Sequence, residues 1–377
     1  MSGPLEGVKV IELAGIGPGP YACMLLADMG ADVLRLERGD AEAKRDESWD
    51  LLNRSRYSVA LDLKSDAGRA LVLELCEQAD VLVEGFRPGV TERLGLGPKD
   101  VWKRNARLVY GRMTGYGQQG ALSQRAGHDI NYIAVSGALW PVGRARERPV
   151  PPLNLVGDFG GGSLFLALGV VAALVHARES GEGQVVDAAM VDGSASLLSM
   201  THSFLNAGYW HEERGVNILD TGAHFYEVYE TADERYVAVG AIEPKFYAEL
   251  LSGLGLDAAT LPAQMDREHW PEMKERLTGI FKQKSRDEWT KVFEDLDACV
   301  TPVLSPSEAA THPYNVERAV FSTKGVVQPS PAPRFSKTPS AIRMTPHTPG
   351  SGTSEGLASW GISAERLETM KAAGAFG

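Results

Sequence analysis

Residues 7–36 constrain the fold more than any other stretch. GVKVIEL, residues 7–13, is a short apolar run that reads as a buried strand. A Gly/Pro turn follows from Ala14 to Pro20, then an apolar-periodic helix from about Tyr21 to Met29. Asp32 to Leu36 reads as the second strand. Strand, helix and strand in about thirty residues make a βαβ unit, hence a parallel sheet with a right-handed crossover. The same stretch imitates a dinucleotide fingerprint, because Gly15-Ile-Gly17 follows a strand and Glu37 ends the next. The third glycine is replaced by Pro20, and Pro18 and Pro20 remove N–H donors that a pyrophosphate would use. The turn is therefore read as tight, with proline opening a helix.

Strand signals continue at Tyr57–Leu63, Val81–Gly85, Leu108–Met113 and Gln184–Met190. Ser65 or Asp66 caps a helix reaching about Glu77. A helical segment from about Gly193 to Ala207 leaves this region. Phe225–Glu230 and Arg235–Gly240 flank a turn and predict a β-hairpin, and Glu243-Pro244 opens a helix. The expected organisation is a large parallel-sheet domain over residues 1–200, a linker helix region at 201–221 and a small α+β domain at 222–322. At 323–377 a Pro-rich strap and a C-terminal helix return to the large domain. Asp40 to Asp50 is highly charged and is expected to be a mobile surface loop.

The chain has 377 residues, too many for one compact core. A formal net charge of −11 argues against a nucleic-acid partner. Cys23, Cys76 and Cys299 are far apart and form no CxxC, so reduced core thiols in a cytoplasmic protein are expected, without disulfide or zinc. No signal peptide is expected, because Met1-Ser2-Gly3-Pro4 offers neither a basic region nor an apolar stretch. The longest apolar run, Leu164 to Val175, is read as too short to span a bilayer, so no membrane partner is expected. Gly352-Thr-Ser-Glu-Gly356 matches a nucleophile elbow, but its upstream segment is Pro/Gly-rich and no histidine follows Ser354.

The chemically loaded stretch is Gly127 to Gly162. His128 and Asp129 open it; Asn154 and Asp158 close it, ahead of Gly160, Gly161 and Gly162. Histidine trades protons near neutral pH. A carboxylate before bare glycine N–H groups could be aimed while those N–H groups hold a developing anion. One imidazole and one carboxylate around one oxyanion suit moving a proton on a carbon next to a carbonyl. Against this stand plainer readings: Asp158 as an ordinary helix N-cap, Asn154 as turn chemistry, and His224 as a rival histidine. Arg38, Lys64 and Arg87 each follow a strand of the same sheet, where ligands of open parallel sheets bind, and together they point to a phosphate-bearing ligand.

These segments resemble the type III coenzyme A transferase superfamily nearly end to end. GVKVIELAGIGPGPYACMLLADMGADVLRLER, VALDLKS, EGFRPGVTERLGLGP, RMTGYGQQG, GQVVDAAMVDG and YVAVGAIEPKFY carry the likeness. AGHDINY together with NLVGDFGGG resembles its racemase branch, since transferase members usually lack the histidine. The resemblance implies a Rossmann-like large domain, a smaller α+β domain and an interlocked homodimer. It implies interconversion of (R)- and (S)-2-methylacyl-coenzyme A thioesters, with no metal or redox cofactor; coenzyme A enters only as part of the substrate. His128 and Asp158 would be bases on opposite faces of the α-carbon, tuned by Glu243 and Asn154 respectively. Arg38, Leu61, Asp62, Leu63, Lys64, Gly85, Phe86, Arg87, Arg93, Gly127, Asp129, Ile130, Asn131 and Tyr132 would bind coenzyme A. The alternative is a transferase using Asp158 as a nucleophile.

Overall fold

In the computed structural model, which describes residues 3–38, 49–323 and 325–376, six short strands form one parallel sheet. They are β1 (Lys9–Leu13), β2 (Asp32–Glu37), β3 (Tyr57–Ala60), β4 (Val81–Glu84), β5 (Val109–Thr114) and β6 (Val185–Ala189). Their order is β3-β2-β1-β4-β5-β6. The expected loop Asp40–Asp50 lies outside the described residues except for its last two positions.

Side chains alternate across a strand, so both faces must be covered. Val10 joins one core with Cys23, Leu26, Val33, Leu166 and Val170, on the side of helices α1 (Pro18–Asp28) and α4 (Leu164–Ser180). Its neighbour Ile11 joins the other core with Leu34, Leu71, Leu75 and Trp360. That side is closed by α2 (Asp66–Cys76) and by the C-terminal helices Thr353–Ser359 and Ala364–Ala372. Ser65 caps α2 by accepting from the Gly68 N–H at 2.9 Å. Between α2 and α4 runs α3 (Asp129–Val135), and α5 (Met190–Leu197) follows β6.

The apolar run centred on α4 is longer than expected. It begins as a π-helical segment at Leu155 and continues to Ser180, 26 residues in all. By length and composition alone such a helix could cross a bilayer, a test that a core helix also passes. Leu166, Val170 and Leu174 nevertheless sit in the sheet's core.

The chain divides into two compact units. One comprises Met1–Ser136, Leu153–Leu198 and Ala319–Gly377; the other Gly137–Pro152 and Ser199–Arg318. The smaller unit thus starts earlier than residue 222 and also takes in Gly137–Pro152. Contacts remote in sequence do this. The Trp140 indole donates to the Glu212 carbonyl at 2.7 Å, and Arg144 forks onto Glu227 at 2.7 and 3.0 Å. Within this unit β7 (Tyr226–Glu230), β8 (Tyr236–Gly240) and β9 (Val300–Pro302) form an antiparallel sheet. Phe225, Trp270, Phe281 and Trp289 dominate its core.

Of the three thiols, Cys23 and Cys76 are buried, while Cys299 is exposed and is therefore not the core residue expected.

Candidate functional site

The strand order reverses between β1 and β4, and in open parallel sheets the crevice at such a reversal receives ligands. A cavity of about 260 Å³ lies there. Its walls are the ends of β1, β4 and β5, the turn Gly15–Pro20, and His128, Tyr132, Asp158 and Met190. The two residues singled out for proton transfer, 30 positions apart, therefore share one cavity.

His128 is the residue that caps α3. Its backbone N–H donates to Asn131 Oδ1 at 3.0 Å, which fixes the turn and leaves the imidazole exposed. Asp158 is not an α-helix N-cap, the plainer of its two readings. It sits inside the π-helical segment Leu155–Ser163, an uncommon geometry found often at functional sites. Asn154 precedes that segment and its amide donates to Asp158 Oδ2 at 3.2 Å. Two close approaches hold the segment in place. The Ser163 hydroxyl reaches the Pro18 carbonyl at 2.7 Å, and the Tyr21 and Phe159 rings lie 4.6 Å apart. Gly17, at φ 72°, faces Asp158; a Cβ there would come within 3.2 Å of Oδ2.

Burial pushes the Asp158 carboxyl above its ordinary value. The Asn154 hydrogen bond and the charge of His128 pull it back, while the charge of Asp129 pushes it further up.

Of the N–H groups from Asp158 to Gly161, the first two are not the open donors expected. The Asp158 N–H is given to Asp129 Oδ2 at 2.7 Å, and the Phe159 N–H to the Asn154 carbonyl at 3.3 Å. Gly161 is buried, with no room for a Cβ beside Ser194.

The expected coenzyme contacts fall into two groups. Arg38, Lys64, Arg87 and Arg93 are exposed; the first three follow β2, β3 and β4, and Arg93 ends the short helix Val90–Arg93. Gly85, Ile130 and Asn131 are also exposed, Asp62, Leu63, Phe86 and Gly127 half-buried, and Leu61 buried. Asp129 and Tyr132, by contrast, face inward. The Tyr132 hydroxyl donates to the Gly127 carbonyl, and Asp129 is 5% exposed. Glu243 belongs to the smaller unit, exposed at the start of helix Pro244–Leu254. The rival His224 is buried in that unit's core, where Nε2 meets the Tyr247 hydroxyl at 2.8 Å. Burial drives it down to about 4, so it stays neutral as a structural residue.

Sequence reasoning missed two cavity carboxylates, Glu12 and Glu84. Register places Glu12 opposite Arg35, and Glu84 opposite Arg112. Glu12 also pairs with buried Arg56, and Arg35 donates to the Gly15 carbonyl at 3.2 Å, tying the turn to the sheet. Glu84 accepts from the Phe86 N–H at 2.7 Å and lies 3.4 Å from Arg112. Burial raises Glu84 to about 7, against the pull of the Phe86 N–H and Arg112. One signal was available: the apolar runs of β1, β2, β4 and β5 are interrupted near their carboxyl ends by Glu12, Arg35, Glu84 and Arg112.

Residues 5–354 match the family model described as CoA-transferase family III. An alpha-methylacyl-CoA racemase of Mus musculus is 48% identical over 367 residues, covering 96% of this chain and 95% of its own. One of Homo sapiens is 46% identical over 369 residues, covering 96% and 95%. Among solved structures, a CAIB/BAIF family protein from Brucella suis superposes with a TM-score of 0.83 at 22% identity, covering 96% of this chain and 100% of its own.

Proposed function

This chain belongs to CoA-transferase family III, and within that family we infer that it is an α-methylacyl-CoA racemase. It interconverts the (R)- and (S)-forms of 2-methylacyl-CoA thioesters. The observation that carries the chemistry is the shared cavity of His128 and Asp158 at the sheet's switch point.

A thioester α-proton is weakly acidic, so its removal needs a base on one face and a donor on the other. We assign these roles to His128 and Asp158. A carboxyl raised by burial can hold a proton long enough to return it, which a surface aspartate at neutral pH cannot. Asn154 steadies that carboxyl through its amide. The enolate oxygen is assigned to the backbone N–H groups that follow His128 directly, at the opening of α3. Arg38, Lys64, Arg87 and Arg93 are assigned to the coenzyme's phosphates, at exposed positions beyond the sheet's carboxyl edge. Glu243 is assigned to His128, from its own or the partner subunit. A homodimer is proposed from the family and from the half-exposed Leu155, Leu164 and Leu168 along one helical segment. Three unpaired cysteines support a cytoplasmic location.

The alternative is a CoA transferase with Asp158 as nucleophile. A histidine in the same cavity favours the racemase, because anhydride chemistry needs no second base. Incubation with an (R)-2-methylacyl-CoA in deuterated water decides between them. The racemase reading expects α-proton loss by NMR together with appearance of the (S)-thioester. No exchange, with substrate-dependent inactivation by hydroxylamine, would establish the transferase instead.

A further inference from the structure

Asp129 follows His128 in the chain, yet its side chain turns away from solvent toward Asp158. It is 5% exposed. Oδ2 accepts the Asp158 backbone N–H at 2.7 Å, and Oδ1 is buried without a hydrogen-bond partner among protein atoms. Room for this contact comes from Gly157, where a Cβ would stand 2.6 Å from Oδ2. One short helix thus begins with one catalytic group and, one residue later, grips the other.

We propose that Asp129 is a positioning residue of the racemisation, pinning the main chain of Asp158 and keeping a fixed negative charge beside its carboxyl. The proposal rests on the two-base reading above. Asp129 gives two bases from separate loops a common anchor: α3 carries His128 covalently and Asp158 through this bond. The Asp129 charge also adds to the upward push on the Asp158 carboxyl. Burial is the larger influence on Asp158, and Asp129 adds to it, while His128 and the Asn154 amide oppose. The other titratable groups facing the cavity are Tyr132 from the same helix and Glu12 and Glu84 from the strand ends.

The test separates the pin from the charge. In Asp129→Asn the amide oxygen can still accept the Asp158 N–H, but the charge is gone. In Asp129→Ala both are lost. The readout is kcat and kcat/KM against pH in both directions, with melting temperature and acyl-CoA binding as controls. Where Asp158 takes the proton, the rate falls toward acid, and Asp129→Asn should move that fall to lower pH by about 0.5–1 unit. Where Asp158 gives the proton, the fall toward base should move down by the same amount. Asp129→Ala should lose kcat by roughly 10²-fold while still binding substrate. A folded Asp129→Asn whose profiles superimpose on wild type in both directions overturns the proposal. Asp158→Asn serves as the reference: if it is inactive and Asp129→Asn is unmoved, only this inference fails. If Asp158→Asn racemises normally, the two-base reading itself is lost.

Discussion

At Asp158, the proposed role and stability pull in opposite directions, and one substitution exposes both. A carboxyl raised by burial is destabilising in its ionised form, so the fold loses stability as pH rises from the unfolded carboxyl's range through the folded one. Asp158→Asn keeps the shape and can still accept from the Asn154 amide, but it carries no charge. The variant should therefore melt at or above the wild-type temperature at pH 7–8, with the gap closing toward acid. Racemisation should drop by roughly 10²–10⁴-fold, the usual worth of one acid–base group. Near wild-type racemisation by the folded variant would remove Asp158 from the mechanism. An N-cap role would predict a stability cost on substitution by Ala alone; the π-helical setting assigns the residue to the cavity instead.

At the scale of the elements, the sheet's charged pairs matter most. β4 ends in Glu84, whose carboxylate holds the Phe86 N–H and so shapes the loop leading to Arg87. Its carboxyl is raised from 4.5 to about 7 by burial. The sign follows: native protein binds more protons than unfolded chain between those values, so stability falls across that window as pH rises. The total is on the order of 3 kcal/mol if the whole shift is expressed. Glu84→Gln should flatten this dependence. Thermal unfolding at pH 5, 6, 7 and 8 should show the variant losing less than wild type, and parallel curves would show that Glu84 titrates normally.

At the scale of the molecule, the two units divide the proposed chemistry. His128 and Asp158 lie in the larger, Glu243 in the smaller. If Glu243 serves the partner's His128 in a dimer, inactive His128→Ala and inactive Glu243→Ala chains should complement each other. Co-refolded heterodimers would contain one intact site and recover up to half of the wild-type activity per dimer. Verified heterodimers without activity would place Glu243 at its own chain's site.

The strands were legible from sequence almost to the residue. Buried parallel strands are short apolar runs, and Gly/Pro turns mark their ends. The six runs read from 7 to 190 became β1 to β6 with ends shifted by at most three residues. His128 and Asp158 were legible too, because a histidine and a carboxylate in glycine-rich loops break the surrounding apolar pattern. Pairing was not legible. Only strand order brings Glu84 beside Arg112 and Glu12 beside Arg35, and only the fold turns Asp129 inward onto the Asp158 N–H. The same limit explains the Asp158 and Phe159 N–H groups, read as open oxyanion donors and found committed. Local patterning specifies which segments are strands and helices, because burial on one or both faces leaves its period in the chain. Which polar groups meet in the interior depends on segments tens of residues apart, and no local period records that.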